Sequence, residues 1–132
     1  MKVLARRIEG FAHDVEIEGG QTIRVDEPLD AGGADTGPAP TRLVAAALAG
    51  CVAVTLELYA ERKGWDVGRI EVEVDAEYDR AQPLSFAVAL RLPAGLSEEQ
   101  RERLLAIAAK CPVHRVLAGE TPVTVSDRIE TL

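Results

Sequence analysis

A basic surface is the first thing this sequence lacks. Its 15 lysines and arginines are outnumbered by 22 aspartates and glutamates, for a formal net charge of −7, and the cations are scattered among the acids. Phosphate recognition needs a basic face, so DNA and RNA binding are excluded. Long apolar runs are missing as well. The longest uncharged stretch, Leu43 to Leu56, is closed by Glu57 and falls short of the roughly 18–20 apolar residues that span a bilayer, so no membrane span is expected. Arg6 and Arg7 interrupt the N-terminus where a signal peptide would carry its apolar core, and the expected location is the cytoplasm. No serine sits in a nucleophile-elbow pattern, which leaves that hydrolase chemistry without support. There is no internal repeat and no low-complexity tract. Cysteine is scarce, with two in the chain; in a cytoplasmic protein, two cysteines point to redox or metal thiols rather than a structural disulfide.

What is present fits one domain over residues 1–132, because chains of about 100–150 residues usually fold as a unit and the 47% hydrophobic and 28% charged content is ordinary for a globular protein. The stretch from Gly37 to Leu56 organises the rest. Pro40 suits the first turn of a helix, Arg62 and Lys63 suit its negative end, and Gly64 ends it. From Leu43 to Val54 nothing is charged, so this helix is apolar on every side and expected to be buried. Before it, Met1 to Glu9 reads as a strand broken by Gly10. Val15 and Ile17 then alternate with Asp14, Glu16 and Glu18, and Thr22 to Val25 resumes the pattern after Gly19-Gly20, which is the mark of a β-hairpin. Asp26 to Ala39 holds too many glycines and prolines for any element and reads as a loop.

After the helix, Val67 to Tyr78 and Leu84 to Leu92 read as two long antiparallel strands with one charged face, joined by a turn over Asp79 to Pro83. Ser97 with Gln100 is a capping-box signature, and Leu104, Leu105, Ile107 and Ala108 give the next helix its apolar stripe. That helix stops at Cys111, since Pro112 disfavours the α conformation before it. A short helical piece spans Val113 to Leu117, and Val123, Val125 and Ile129 are expected to form a last strand. The sum is an α+β fold with mostly antiparallel sheet. The half-polar sheets of one chain are too little to cover a helix apolar all round, so a homodimer is expected.

The chemistry sits with the thiols. Cys51 lies mid-helix with Gly50 before it and Ala47 a turn back, small residues that leave room beside the sulfur. In Cys111-Pro112-Val113-His114-Arg115, the cysteine precedes a helical turn whose free N–H groups can lower a thiol pKa, with His114 and Arg115 about one turn away. The pentapeptide alone supports a thiolate at Cys111 and a semi-buried cysteine at a helix junction equally.

Gly37-Pro38-Ala39-Pro40 leading into Ala49-Gly50-Cys51, followed by Lys110-Cys111-Pro112-Val113-His114-Arg115, resembles the OsmC/Ohr family of osmotically induced and organic-hydroperoxide-resistance proteins over nearly the whole chain. The resemblance implies an OsmC-like intertwined homodimer, its sheets wrapped around long buried cysteine-bearing helices. It implies a peroxidase, an antioxidant oxidoreductase of the oxidative stress response. Cys51 would attack an organic hydroperoxide and become a sulfenic acid, and Cys111 would condense with it to a disulfide. An external dithiol reductant, such as a lipoyl protein, would reduce that disulfide. No cofactor and no metal are implied. The family's activating arginine comes from the N-terminal sheet; Arg7, Arg6 and Arg24 are the candidates, with Arg7 carried forward, and His114 joins the catalytic set beside Cys111. The family holds that arginine with a glutamate at the start of the cysteine helix. Here Thr41 and Arg42 stand just after Pro40, so either the arginine is held otherwise or Arg42 takes over its work.

Two other readings stand beside the peroxidase. One is a non-peroxidase OsmC-like protein that binds a small apolar or electrophilic ligand in a dimer-interface cavity, which Thr41 favours. The other is a metal site from Cys51, Cys111, His114 and His13, for which Cys-x-x-His supplies half of a set of about four ligands.

Overall fold

The alternating residues on either side of Gly19-Gly20 form the expected hairpin. The computed structural model describes residues 1–132, in which β1 (Val3–Glu9), β2 (Ala12–Ile17) and β3 (Gln21–Val25) make an antiparallel sheet in that order. Ile17 pairs with Gln21, and the glycines between them take φ of 110° and 100°, a left-handed turn that a Cβ would oppose. The expected loop after Val25 carries one 3-10 turn, Leu29–Ala31. It is knotted by Asp26, whose carboxylate accepts from the Glu27 N–H (2.8 Å), the Thr36 N–H (3.1 Å) and the Thr36 hydroxyl (2.7 Å). A Cβ at Gly33 would stand 1.9 Å from the Glu27 carbonyl oxygen, so only glycine lets the loop close this tightly.

Helix α1 runs Pro40–Lys63, the bounds that Pro40 and Gly64 predict. Strands β4 (Glu71–Asp79) and β5 (Gln82–Arg91) form a second antiparallel sheet. Their turn is shorter than expected: Arg80 takes φ 56°, and Pro83 enters β5, where a two-stranded sheet leaves an unpaired edge that needs no N–H. Helix α2 (Glu98–Ala108) has the full capping box, with Ser97 Oγ accepting from the Gln100 N–H and Gln100 Oε1 accepting from the Ser97 N–H. Cys111 has extended backbone (φ −54°, ψ 133°), as Pro112 requires, and caps α3 (Pro112–Leu117).

The chain divides into two compact units, each built from separated segments: Met1–Ala46 with Ala76–Phe86, and Ala47–Asp75 with Ala87–Leu132. In the first, the Tyr78 hydroxyl donates to the Thr41 carbonyl (2.8 Å), and Tyr78 meets Phe86 edge to face. In the second, the core gathers Leu48, Val52, Leu56, Tyr59 and Ala60 of α1, Val67, Leu104, Ile107 and Ala108 of α2, and Cys111. Spacing of three and four residues in both helices makes each set a stripe, and Cys111 continues the stripe of α2. Leu105, expected on it, is exposed.

Three expectations are corrected. Helix α1 is apolar all round, yet the chain buries one stripe of it; Val54 and Leu58 remain 58% and 56% exposed, because the half-polar hairpins and one amphipathic helix cover no more. Its 24 residues are also long and apolar enough to cross a membrane by length and composition, so the uncharged run alone does not exclude a span; the core helix of a soluble protein meets the same measure. Finally, Val123, Val125 and Ile129 lie outside any strand and are exposed, since alternation makes a strand only where a neighbouring strand accepts its hydrogen bonds.

Candidate functional site

Helix α1 carries Cys51 half-buried, between the buried Leu48 and Val52, while α3 begins at Cys111, which is fully buried. The fold brings these two residues of the second unit near one another across about sixty positions of sequence, close enough for Cys51 to be among the groups that shift the Cys111 thiol. Gly50, before Cys51, is exposed, and a Cβ there would meet nothing within 4 Å.

Of the two readings of Cys111, its surroundings favour the buried thiol. The capping geometry is as read from sequence, with the His114 N–H pointing at Sγ (3.5 Å). Those N–H groups favour a thiolate. Burial nevertheless pushes the Cys111 thiol up, and the neighbouring Cys51 raises it further, outweighing the N–H groups of His114 and Val113. Burial itself orders the pair into a half-buried sulfur, Cys51, and a shielded one, Cys111. Sequence neighbours alone could not reveal this, because the deciding influences are depth and a partner far along the chain.

His114 is half-buried, and its ring nitrogen Nδ1 is enclosed with no hydrogen-bond partner. Among the arginine candidates in the first unit, Arg6 pairs with Glu16 and Arg24 with Asp14. Arg7 donates through Nε to the Gly10 carbonyl (2.9 Å) and meets no carboxylate, so most of its guanidinium remains uncommitted. Thr41 supplies a carbonyl to Tyr78 rather than a carboxylate to an arginine. Arg42 is exposed, at a cavity of about 490 Å³ lined also by Glu27, Asp30, Tyr78 and Arg80. His13 bonds through Nδ1 to the Phe11 carbonyl (2.8 Å), and no three His, Cys, Asp or Glu side chains are grouped to hold a metal ion, which removes the observation the metal reading needs.

Tyr59 and Trp65 pack edge to face at 5.6 Å. They also line a cavity of about 500 Å³ with Lys63, Glu99, Glu102 and Arg103. Arg103 donates to the Tyr59 hydroxyl (2.9 Å) and, with Arg62 and Lys63, lies within 6.0 Å of its ring centre. This cation cluster escaped the sequence reading because Arg103 reaches it from another helix.

A family model described as OsmC-like protein matches residues 32–126. Solved structures share the fold. An OsmC-like protein from Mycoplasma pneumoniae superposes with a TM-score of 0.76 at 18% identity, over 89% of this chain and 86% of that one. The organic hydroperoxide resistance protein OsmC from Legionella pneumophila gives 0.63 at 23% identity over 91% of each chain. The organic hydroperoxide resistance protein OhrB of Bacillus subtilis gives 0.55 at 27% identity, over 89% of this chain and 90% of that one. Among curated proteins, none matches this sequence.

Proposed function

Because this chain belongs to the OsmC-like family and its only two thiols lie near one another, we propose that it is a thiol-dependent peroxidase that reduces organic hydroperoxides. The nearness of Cys51 and Cys111 carries the reading. Cys51, the more accessible sulfur, attacks the outer peroxide oxygen as a thiolate; the O–O bond breaks, the alcohol leaves with a proton, and Cys51 becomes a sulfenic acid. Cys111 then attacks Cys51 Sγ, a disulfide forms and water leaves. An external dithiol, a lipoyl group being one such, restores both thiols by exchange. Arg7, which meets no carboxylate, remains the resemblance's candidate for the family's activating arginine. The names of the Legionella and Bacillus proteins, both for organic hydroperoxide resistance, support the substrate class.

The uncovered face of α1, with Val54 and Leu58, supports a homodimer in which a second copy supplies the cover that the chain itself does not. In this reading the protein is a soluble, cytoplasmic dimer, and that face meets protein rather than lipid. Residues 1–132 act as one OsmC-like domain within it.

The test is consumption of cumene hydroperoxide with dihydrolipoamide, by wild type, Cys51→Ser and Cys111→Ser, with free thiols titrated before and after. Turnover in wild type that vanishes in Cys51→Ser, with both thiols lost as an intramolecular disulfide, is the expected result. Consumption no faster than by dihydrolipoamide alone overturns the peroxidase. Thr41, where the family carries a glutamate, favours the second reading, a protein that binds a small apolar or electrophilic ligand; its function would survive Cys111→Ser, and turnover would not.

A further inference from the structure

Three like charges converge on the buried ring of Tyr59. Arg62, Lys63 and Arg103 stand 6.0, 5.7 and 5.6 Å from its centre, within the range at which a cation is drawn to an aromatic face. The negative end of α1 accounts for Arg62 and Lys63. It does not account for Arg103, which comes from the middle of α2 and is fixed here by the bond from its Nε to the Tyr59 hydroxyl (2.9 Å). Cations this close repel one another, and none of the three takes part in any ion pair of the chain. Lys63 and Arg103 open, with the Tyr59 and Trp65 rings, onto the cavity of about 500 Å³ between the end of α1 and α2, all within the second unit. That volume falls in the range of small-molecule sites.

The rest of the lining narrows the class of ligand. Glu99 and Glu102 share the cavity and lie with Arg103 on one face of α2, at spacings of three and four residues. Two carboxylates beside three cations leave a small positive excess, which matches one negative charge and opposes a second. The two rings add a planar apolar wall. Cavity and thiols are separate, since Tyr59 lies eight residues beyond Cys51, about 12 Å along the helix. The uncovered face is separate too. Lys63 is nine residues from Val54, about two and a half turns, and so on the opposite side of α1.

We infer that this cavity binds a small aromatic monoanion, an aryl carboxylate, with its charge on Arg103 and Lys63 and its ring against Trp65. The Tyr59 hydroxyl holds Arg103 through Nε, which leaves the other N–H groups of the guanidinium to meet a carboxylate as a fork. Lys63 adds a point charge, and Glu99 and Glu102 select against dianions. The site stands whether or not the chain is a peroxidase, and no covalent step is involved.

Trp65 is the only tryptophan in the chain, so its fluorescence reports on this cavity. Phenylacetate is titrated into the full-length reduced protein, with 2-phenylethanol, 2-phenylethylamine and phenyl phosphate as the neutral, cationic and dianionic comparisons. Titration calorimetry gives a second readout, and free N-acetyltryptophanamide corrects for collisional quenching. The expected result is saturable binding of phenylacetate with a Kd below about 1 mM, tighter than any comparison compound. Arg103→Gln and Lys63→Gln should each weaken it about tenfold with circular dichroism unchanged, and Glu102→Gln should improve phenyl phosphate. Lys63 ends its helix, so its variant keeps the test sound if Arg103→Gln fails to fold. Absence of saturation in both readouts overturns the site, as does binding that neither cation variant weakens. Preference for 2-phenylethylamine overturns the anion, and preference for phenyl phosphate overturns the single charge.

Discussion

Asp26 carries its charge where it is 1% exposed. The Thr36 hydroxyl, helped by the N–H groups of Thr36, Glu27 and Ala34, holds its carboxyl below the usual carboxylate range, against the opposing pull of burial. A lowered folded-state pKa favours folding above the ordinary carboxylate value and loses that contribution as pH falls through the lowered one. Thr36→Val should therefore move the acid unfolding midpoint, followed by circular dichroism, to higher pH; an unmoved midpoint would show that the knot around Asp26 contributes nothing. Cys111 has the opposite sign. Its raised pKa favours the folded state at and below neutral pH, and stability falls as pH rises past the ordinary thiol value, about 8.5. Urea midpoints measured from neutral pH upward should decline for wild type and flatten for Cys111→Ala, which has no proton to lose. Neither residue's behaviour was legible in the sequence: Asp26 reads as the first residue of a loop, and Cys111 as either a helix-terminal thiolate or a semi-buried cysteine, because depth is a property of the fold.

At the scale of elements, helix bounds were legible because they are written in local chemistry. Pro40, the Arg62-Lys63 pair and Gly64 bracket α1, and Ser97 with Gln100 starts α2 with both reciprocal bonds in place. Ser97→Ala should cost about 1 kcal/mol, read as a fall of about 3–5 °C in Tm. A loss within a few tenths of a degree would show that the first turn is held by other means. Strand existence was less legible where the partner lies beyond the neighbouring element. Gly19-Gly20 brings β3 to β2 locally, whereas Val123 and Val125 alternate correctly and pair with nothing in the chain. The same distinction separates the two faces of α1. Leu58→Glu, on its uncovered face, should leave helix content intact and convert a dimer, at twice the chain mass of 14.2 kDa, into monomer in sedimentation velocity without detergent. Dimer persisting in that variant would place the contact elsewhere.

At the scale of the whole molecule, the candidate site was legible as a pair of residues and illegible as an arrangement. Two cysteines beside small or cationic neighbours marked the chemistry, but their separation concealed that they lie near one another and which sulfur is shielded. The acidic balance of the chain, with a net charge of −7, is spread along strands whose exposed faces carry Glu71, Glu73, Asp75 and Glu77, where it favours solubility. The interleaving of the two units has a consequence for how the chain is made. Emerging from the ribosome N-terminus first, it presents Met1–Ala46 before the segment Ala76–Phe86 that completes that unit, and Ala47–Asp75 before the C-terminal half that completes the other. No single cleavage releases either unit whole, and no nascent fragment ending before Phe86 contains one. Early termination products should accordingly be substrates for chaperones and proteases rather than small working versions of the protein.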